Sequence, residues 1–113
     1  MNHSGDIKAL FIIVNAGFSA MAMEIARAEG TKGATIINAR GEGARQQSIM
    51  GITVDAEREM ILCLIDSATA DKVMAAIKEK AGRDSPANGI CFTMPIERTT
   101  IINDFIPDSA KRG

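Results

Sequence analysis

Val14-Asn15-Ala16-Gly17-Phe18-Ser19, followed by Gly30-Thr31-Lys32-Gly33-Ala34-Thr35 and then Gly41-Glu42-Gly43-Ala44-Arg45-Gln46, spells out a strand, a crossover helix, a second strand and a glycine-rich basic loop, in that order. At that loop, backbone N–H groups can meet phosphate, as in an anion nest. Gly41-x-Gly43 with Arg45 is equally a flexible turn whose glycines merely permit positive φ. Working outward, Lys8 to Asn15 is a continuous β-favouring run, as expected of a central strand covered on both faces. Phe18, Met21, Ala22, Ile25 and Ala26 recur at helical spacing, with Ser19 as N-cap and Gly30 placed to end the helix. Ala34 to Ala39 reads as a second strand and Arg58 to Ile65 as a third. The long loop between them carries Gly41, Gly43, Gly51, Arg40, Arg45, Gln46 and Gln47, with Ile52-Thr53-Val54 as a short extended piece. Ala70, Val73, Met74 and Ile77 mark a second helix behind Ser67, from about Ala68 to Ala81, closed by Gly82. After a loop containing Pro86, Gly89 to Met94 forms a fourth strand that Pro95 stops.

The order strand, helix, strand, strand, helix, strand closes as two split βαβ units under right-handed crossovers. The expected fold is therefore α+β, a ferredoxin-like plait (βαββαβ) with a four-stranded antiparallel sheet and two helices on one face. The strands are apolar on both sides, so the open sheet face needs cover, and assembly of copies through it is the economical answer. One domain is expected over residues 1–113, with a core from about 8 to 103, a short extended piece at Thr99 to Asn103 and a flexible tail at 108–113.

The net charge of −1, the absence of Trp and Tyr and the four scattered Phe exclude an ordinary nucleic-acid binder. The longest aliphatic stretch, Ala9 to Val14, is too short to span a bilayer, and Met1 to Lys8 lacks the basic region of a signal peptide, so a cytoplasmic protein is expected. Cys63 and Cys91 sit in apolar runs and read as small buried hydrophobes. His3 stands alone, so no metal site is expected. There is also no nucleophile–base pair, so an enzyme is not expected.

The helix-to-strand junctions and glycine-rich loop make the chain, from Lys8 to about Asn103, resemble PII-type signalling proteins, as a divergent PII-like member. The resemblance implies a compact homotrimer that binds ATP or ADP in intersubunit clefts. It also implies a loop after the second strand that touches transporters, enzymes or regulators. By that likeness Thr35 falls at an adenine-facing position, and Gly41, Gly43, Arg45 and Gln46 match a ligand-binding stretch into which Ala44 is inserted. Arg58 takes the place of a lysine on the third strand, and Asn88-Gly89 matches a phosphate-site dipeptide. The chain departs from the family at Ile90, which replaces its phosphate-binding Lys. It departs again at Asp84 to Ala87, which replace a Gly- and Lys-containing loop, and at Ile101 and Asn103, which replace two Arg. A triphosphate brings about four negative charges to be offset in a dry cleft. The remaining Arg40, Arg45 and Arg58 fit AMP, a cyclic nucleotide, ADP or a small anion such as bicarbonate better than Mg-ATP. With no Tyr, tyrosine-directed modification of the loop is excluded.

The resemblance thus implies a signalling regulator, of the class used in nitrogen regulation, that controls a partner through loop 40–56. Two other readings stay open. One is a ligand-free trimeric interaction subunit. The other is an acyl-phosphate or phosphate-ester hydrolase on the same plait, for which Asn15 is present but the required arginine after the first strand is not.

Overall fold

The computed structural model describes residues 6–41, 47–49, 52–54 and 56–100. Their order is β1 (Ile7–Asn15), α1 (Ser19–Ala28), β2 (Thr35–Gly41), β3 (Gln47–Ile49), β4 (Ile52–Val54), β5 (Ala56–Asp66), α2 (Ser67–Ala81) and β6 (Ile90–Pro95). Four strands form one sheet in the order β2-β5-β1-β6, and every neighbouring pair is antiparallel. This is the ferredoxin-like plait that the element order predicts. Strand boundaries shift from the expected ones by one or two residues, the scatter usual at element ends. Within the long loop, Gln47–Ile49 pairs antiparallel with Ile52–Val54 as a separate two-stranded ribbon, so the short extended piece has a partner strand that the sequence reading did not identify. Thr99 and Thr100 lie in no strand. The rest of the expected extended piece, the 108–113 tail and His3 lie outside the described residues.

Alternation along the strands decides the two faces. Leu10, Ile12 and Val14 on β1 and Ile61, Cys63 and Ile65 on β5 are buried, forming the core with Ala22, Met23 and Ala26 of α1 and Ala70, Val73, Ile77 and Ala81 of α2. The small helix residues let both helices lie close to the sheet. Burial pushes the Cys63 thiol up to about 11, and partial burial raises Cys91; Cys63 is the buried hydrophobe expected, whereas Cys91 is only partly buried against the core. The opposite face has no helix. There Phe11 pairs with Phe92 across β1 and β6, their rings stacked at a centroid distance of 4.9 Å. Ile37, Ile90, Phe92 and Met94 remain between 40% and 52% exposed.

The start of α1 differs from the expected cap. Ser19 is the first helical residue of α1, Phe18 occupies the cap position, and no local side chain caps it. Instead Glu59, on β5, reaches over and its Oε1 accepts hydrogen bonds from Gly17 N–H at 2.8 Å and Ser19 N–H at 3.3 Å. For α2 the cap is Asp66, which ends β5 in an extended conformation and accepts from Thr69 N–H at 3.0 Å. Sequence spacing favoured the nearer hydroxyl of Ser19 because a carboxylate 40 residues away on another strand is invisible to a local pattern.

The Gly17 N–H bond to Glu59 lowers that carboxyl below its ordinary value despite the opposing effect of desolvation, with Ser19 adding to the lowering. A depressed carboxylate contributes stability that is present above its unfolded pKa and is lost as pH falls through the folded one. Thermal melting of the wild type is therefore expected to weaken below the normal carboxylate range, and the Glu59→Gln variant to show a flatter acid limb. Parallel curves for the two would overturn this capping role.

Candidate functional site

The connection from α2 to β6 is built by its own hydrogen bonds. Ser85 N–H and Ser85 Oγ both donate to Gly82 O, at 3.0 and 2.7 Å, and Asn88 N–H donates to Ser85 O at 2.9 Å. Gly89 N–H then returns to Ala81 O at 2.8 Å. The approach is so close that a Cβ on Gly89 would stand 2.3 Å from Ala81 O. Asn88, at φ +47, takes the left-handed conformation that asparagine tolerates better than most residues. Asn15 clamps the loop to the end of β1: its N–H donates to Ala87 O at 2.8 Å and its Nδ2 to Pro86 O at 3.0 Å. The loop is a rigid bracket on the sheet edge rather than a free phosphate loop.

That bracket overhangs the uncovered face. Arg83 and Asn88 from the connection, Arg58 from β5, Arg40 and Ala39 from β2, and Ile13 and Ile90 line an open cavity of about 270 Å³. Ala39 stands opposite Arg58 in the β2–β5 register, and Ile13 opposite Ile90 in the β1–β6 register, so the cavity spans all four strands at one end of the sheet. Among the described residues, three arginines and one asparagine line it, and no acidic residue does. Its floor is aliphatic. An arginine side chain can offer a planar fork of N–H donors to an anion.

Of the residues singled out from sequence, Arg58 and Asn88 meet at this cavity. Gly89 holds the bracket through its own N–H. Thr35 is exposed on the same strand as Ala39, four residues away and thus about 13 Å along the sheet. Gly41 ends β2. Gly43, Arg45 and Gln46 lie outside the described residues. Near Asn15-Ala16-Gly17 the N–H groups turn inward: Ala16 donates to Glu57 O and Gly17 to Glu59, so that turn is structural. Arg83 is the residue the sequence reading missed. Its only signal was a position just beyond the end of α2, and its approach to Arg58, 25 positions away, depends on the fold.

A family model described as nitrogen regulatory protein P-II matches residues 7–104. The chain belongs to that family. Solved structures of P-II-like proteins share its fold at low identity. The ATP complex of Bacillus subtilis GlnK matches with a TM-score of 0.67 and 21% identity, over 93% of this chain and 94% of that one. A PII-like signalling protein of Thermus thermophilus matches with a TM-score of 0.60 and 19% identity, over 78% and 84%. CPII of Thiomonas intermedia K12, a nitrogen regulatory PII-like protein bound to ADP, AMP and bicarbonate, matches with a TM-score of 0.60 and 18% identity, over 78% and 87%. No curated protein matches the sequence. Among the described residues no helix is long and apolar enough to cross a membrane, and no group of His, Cys, Asp and Glu could hold a metal ion.

Proposed function

We propose that this P-II family member is a non-enzymatic regulator that binds a small effector, an adenine nucleotide or a small anion, in clefts between the subunits of a homotrimer and controls a partner protein through loop 40–56. The observation that carries this reading is the arginine-lined cavity at the rim of an uncovered apolar sheet face. The exposed side chains of Ile37, Ile90, Phe92 and Met94 call for cover by another copy. A cavity at that rim becomes a cleft when the copy arrives. At about 270 Å³ it falls just below the roughly 300 Å³ at which whole small-molecule sites begin. Half a site completed by a neighbour fits that size. The structures of CPII with ADP, AMP and bicarbonate, and of GlnK with ATP, supply the candidate ligands.

The partner surface follows from topology. The β3–β4 ribbon is inserted between β2 and β5, whose facing ends, Arg40 and Arg58, line the cavity. A ligand held there can bias the ribbon, which is how an effector becomes a signal. A cytoplasmic regulator touching a transporter or enzyme suits this arrangement. A ligand-free trimeric interaction subunit is the second reading, and one observation favours it: the N–H groups of Ser85, Asn88 and Gly89 are spent within the bracket and cannot cradle phosphate.

Calorimetric titration of the purified protein with ATP, ADP, AMP, cyclic AMP and bicarbonate, with and without Mg²⁺, separates the two. Micromolar binding of at least one of them is expected, with ATP not the tightest and Arg45→Ala weakening the complex without dissociating the trimer. Silence from all five would favour the interaction subunit.

A further inference from the structure

We propose that Asn88-Gly89 is a latent deamidation site: the α2–β6 bracket holds it shut, and opening of the bracket lets the Asn88 amide become a carboxylate at the wall of the cavity. The modification does not depend on what the cavity binds.

Asparagine followed by glycine is the pair most prone to attack on itself, because a residue without Cβ leaves its amide nitrogen room to approach the preceding side-chain carbonyl. Asn88-Gly89 is the one such step in the sequence: Asn15 and Asn38 precede alanine, Asn2 precedes histidine and Asn103 precedes aspartate. In the reaction Gly89 N loses its proton and bonds to Asn88 Cγ, the Cγ–Nδ2 bond breaks, and ammonia leaves with a proton, closing a succinimide ring. Water then opens the ring. Cleavage of the new Cγ–N bond gives aspartate, and cleavage of the backbone C–N bond gives isoaspartate. No oxidant or reductant takes part.

The closed bracket withholds each requirement. Gly89 is buried, and its N–H donates to Ala81 O at 2.8 Å and to Gly82 O at 3.3 Å, so no base reaches the proton and the nitrogen cannot swing toward Asn88. Asn88 is held at φ +47 with its own N–H on Ser85 O. What can open is the connection itself. Asn15 ties Pro86 and Ala87 to the sheet through two hydrogen bonds, and between Gly82 and Gly89 the one buried residue is Ala87. A segment with few ties and exposed flanks opens locally, at less cost than global unfolding.

The product changes the site. Asn88 lines the cavity with Arg58 and Arg83, so a neutral amide there becomes an anion. Isoaspartate also adds a methylene to the backbone close before β6, which begins at Ile90.

Trypsin isolates the step, because cleavage after Arg83 and Arg98 releases residues 84–98, whose single asparagine is Asn88. Wild type, Asn15→Ala and Ser85→Ala are incubated at mildly alkaline pH without urea, in sub-denaturing urea and fully unfolded in urea. The peptide is read by mass spectrometry and by chromatographic separation of aspartate from isoaspartate. Unfolded wild type is expected to convert, and folded wild type at least about 10-fold more slowly, as local protection requires. Each variant removes one bond of the bracket and is expected to raise the folded rate about 5-fold, the worth of a single hydrogen bond. Sub-denaturing urea is expected to leave the folded wild-type rate nearly flat, because a local opening exposes little surface. Equal rates in folded and unfolded wild type would overturn the gate, and no conversion of the unfolded chain would overturn the site. A wild-type rate that climbs with urea along the global unfolding slope would show that unfolding, and not the bracket, exposes the step. That measurement needs no variant. Wild-type rates in both folded variants would also overturn the gate.

Discussion

A Phe92→Glu variant is expected to run at one third of the wild-type mass in light scattering, keeping its far-ultraviolet circular dichroism while losing effector binding. Phe92 sits on the helix-free face of the sheet, opposite Phe11 in the β1–β6 register, and is 42% exposed. Of the roughly 200 Å² that a phenylalanine presents, about 80 Å² then waits for a partner, a gain of about 2 kcal/mol for each copy when covered. A glutamate removes that gain three times in a trimer and places three carboxylates in a desolvated interface, where each unpaired charge costs several kcal/mol more. The stack with Phe11 is lost as well, worth about 1 kcal/mol within the protomer. Met94→Glu separates dissociation from unfolding, because Met94 is 52% exposed on the same face and belongs to no ring stack. It too is expected to give a folded monomer. Unchanged mass for both variants would remove assembly through this face, and with it the intersubunit cleft.

Gly89→Ala is expected to destabilise the protein by about 2 to 4 kcal/mol, combining overpacking with a weakened buried hydrogen bond. For a chain of this size that is a fall in Tm of roughly 10 to 20 °C. The added Cβ would stand 2.3 Å from Ala81 O, the carbonyl that accepts Gly89 N–H, and 3.3 Å from Val14 Cγ1 in the core. Neither neighbour can give way alone: Ala81 ends α2 and is fully buried, and Val14 is packed on β1. The bracket must lift, and Arg83 and Asn88 move with it. Gly33→Ala is the control, since a Cβ there meets nothing within 4 Å, and its Tm is expected to hold. Equal stability of the two variants would show that the bracket is softer than its bonding implies.

Helical spacing and β-favouring runs found both helices and the four strands of the main sheet, because each element carries its own periodicity in adjacent residues. Right-handed crossovers then left the plait as the natural closure. The β3 strand escaped this reading because Gln47–Ile49 is three residues long and too short for a pattern. Both caps escaped for different reasons. Asp66 reads as the end of a strand, and Glu59 acts on α1 from across the sheet. In the candidate site, Arg58 and Asn88 were legible through the likeness to a family, and Arg83 was not, because nothing in its immediate neighbours distinguishes it from a solvated charge at a helix end.

The sequence by itself determined the element order, the two-sided apolar strands and the absence of tyrosine. These are properties of composition and spacing, present before any contact forms. Only the tertiary structure decided that the α2–β6 connection spends its N–H groups on itself, and that Asn15 pins it to the sheet. Only it decided that Arg83 overhangs the cavity beside Arg58. Those facts depend on where distant segments meet, and the meeting place is chosen by burial of Leu10, Ile12, Ile61 and their neighbours between sheet and helices.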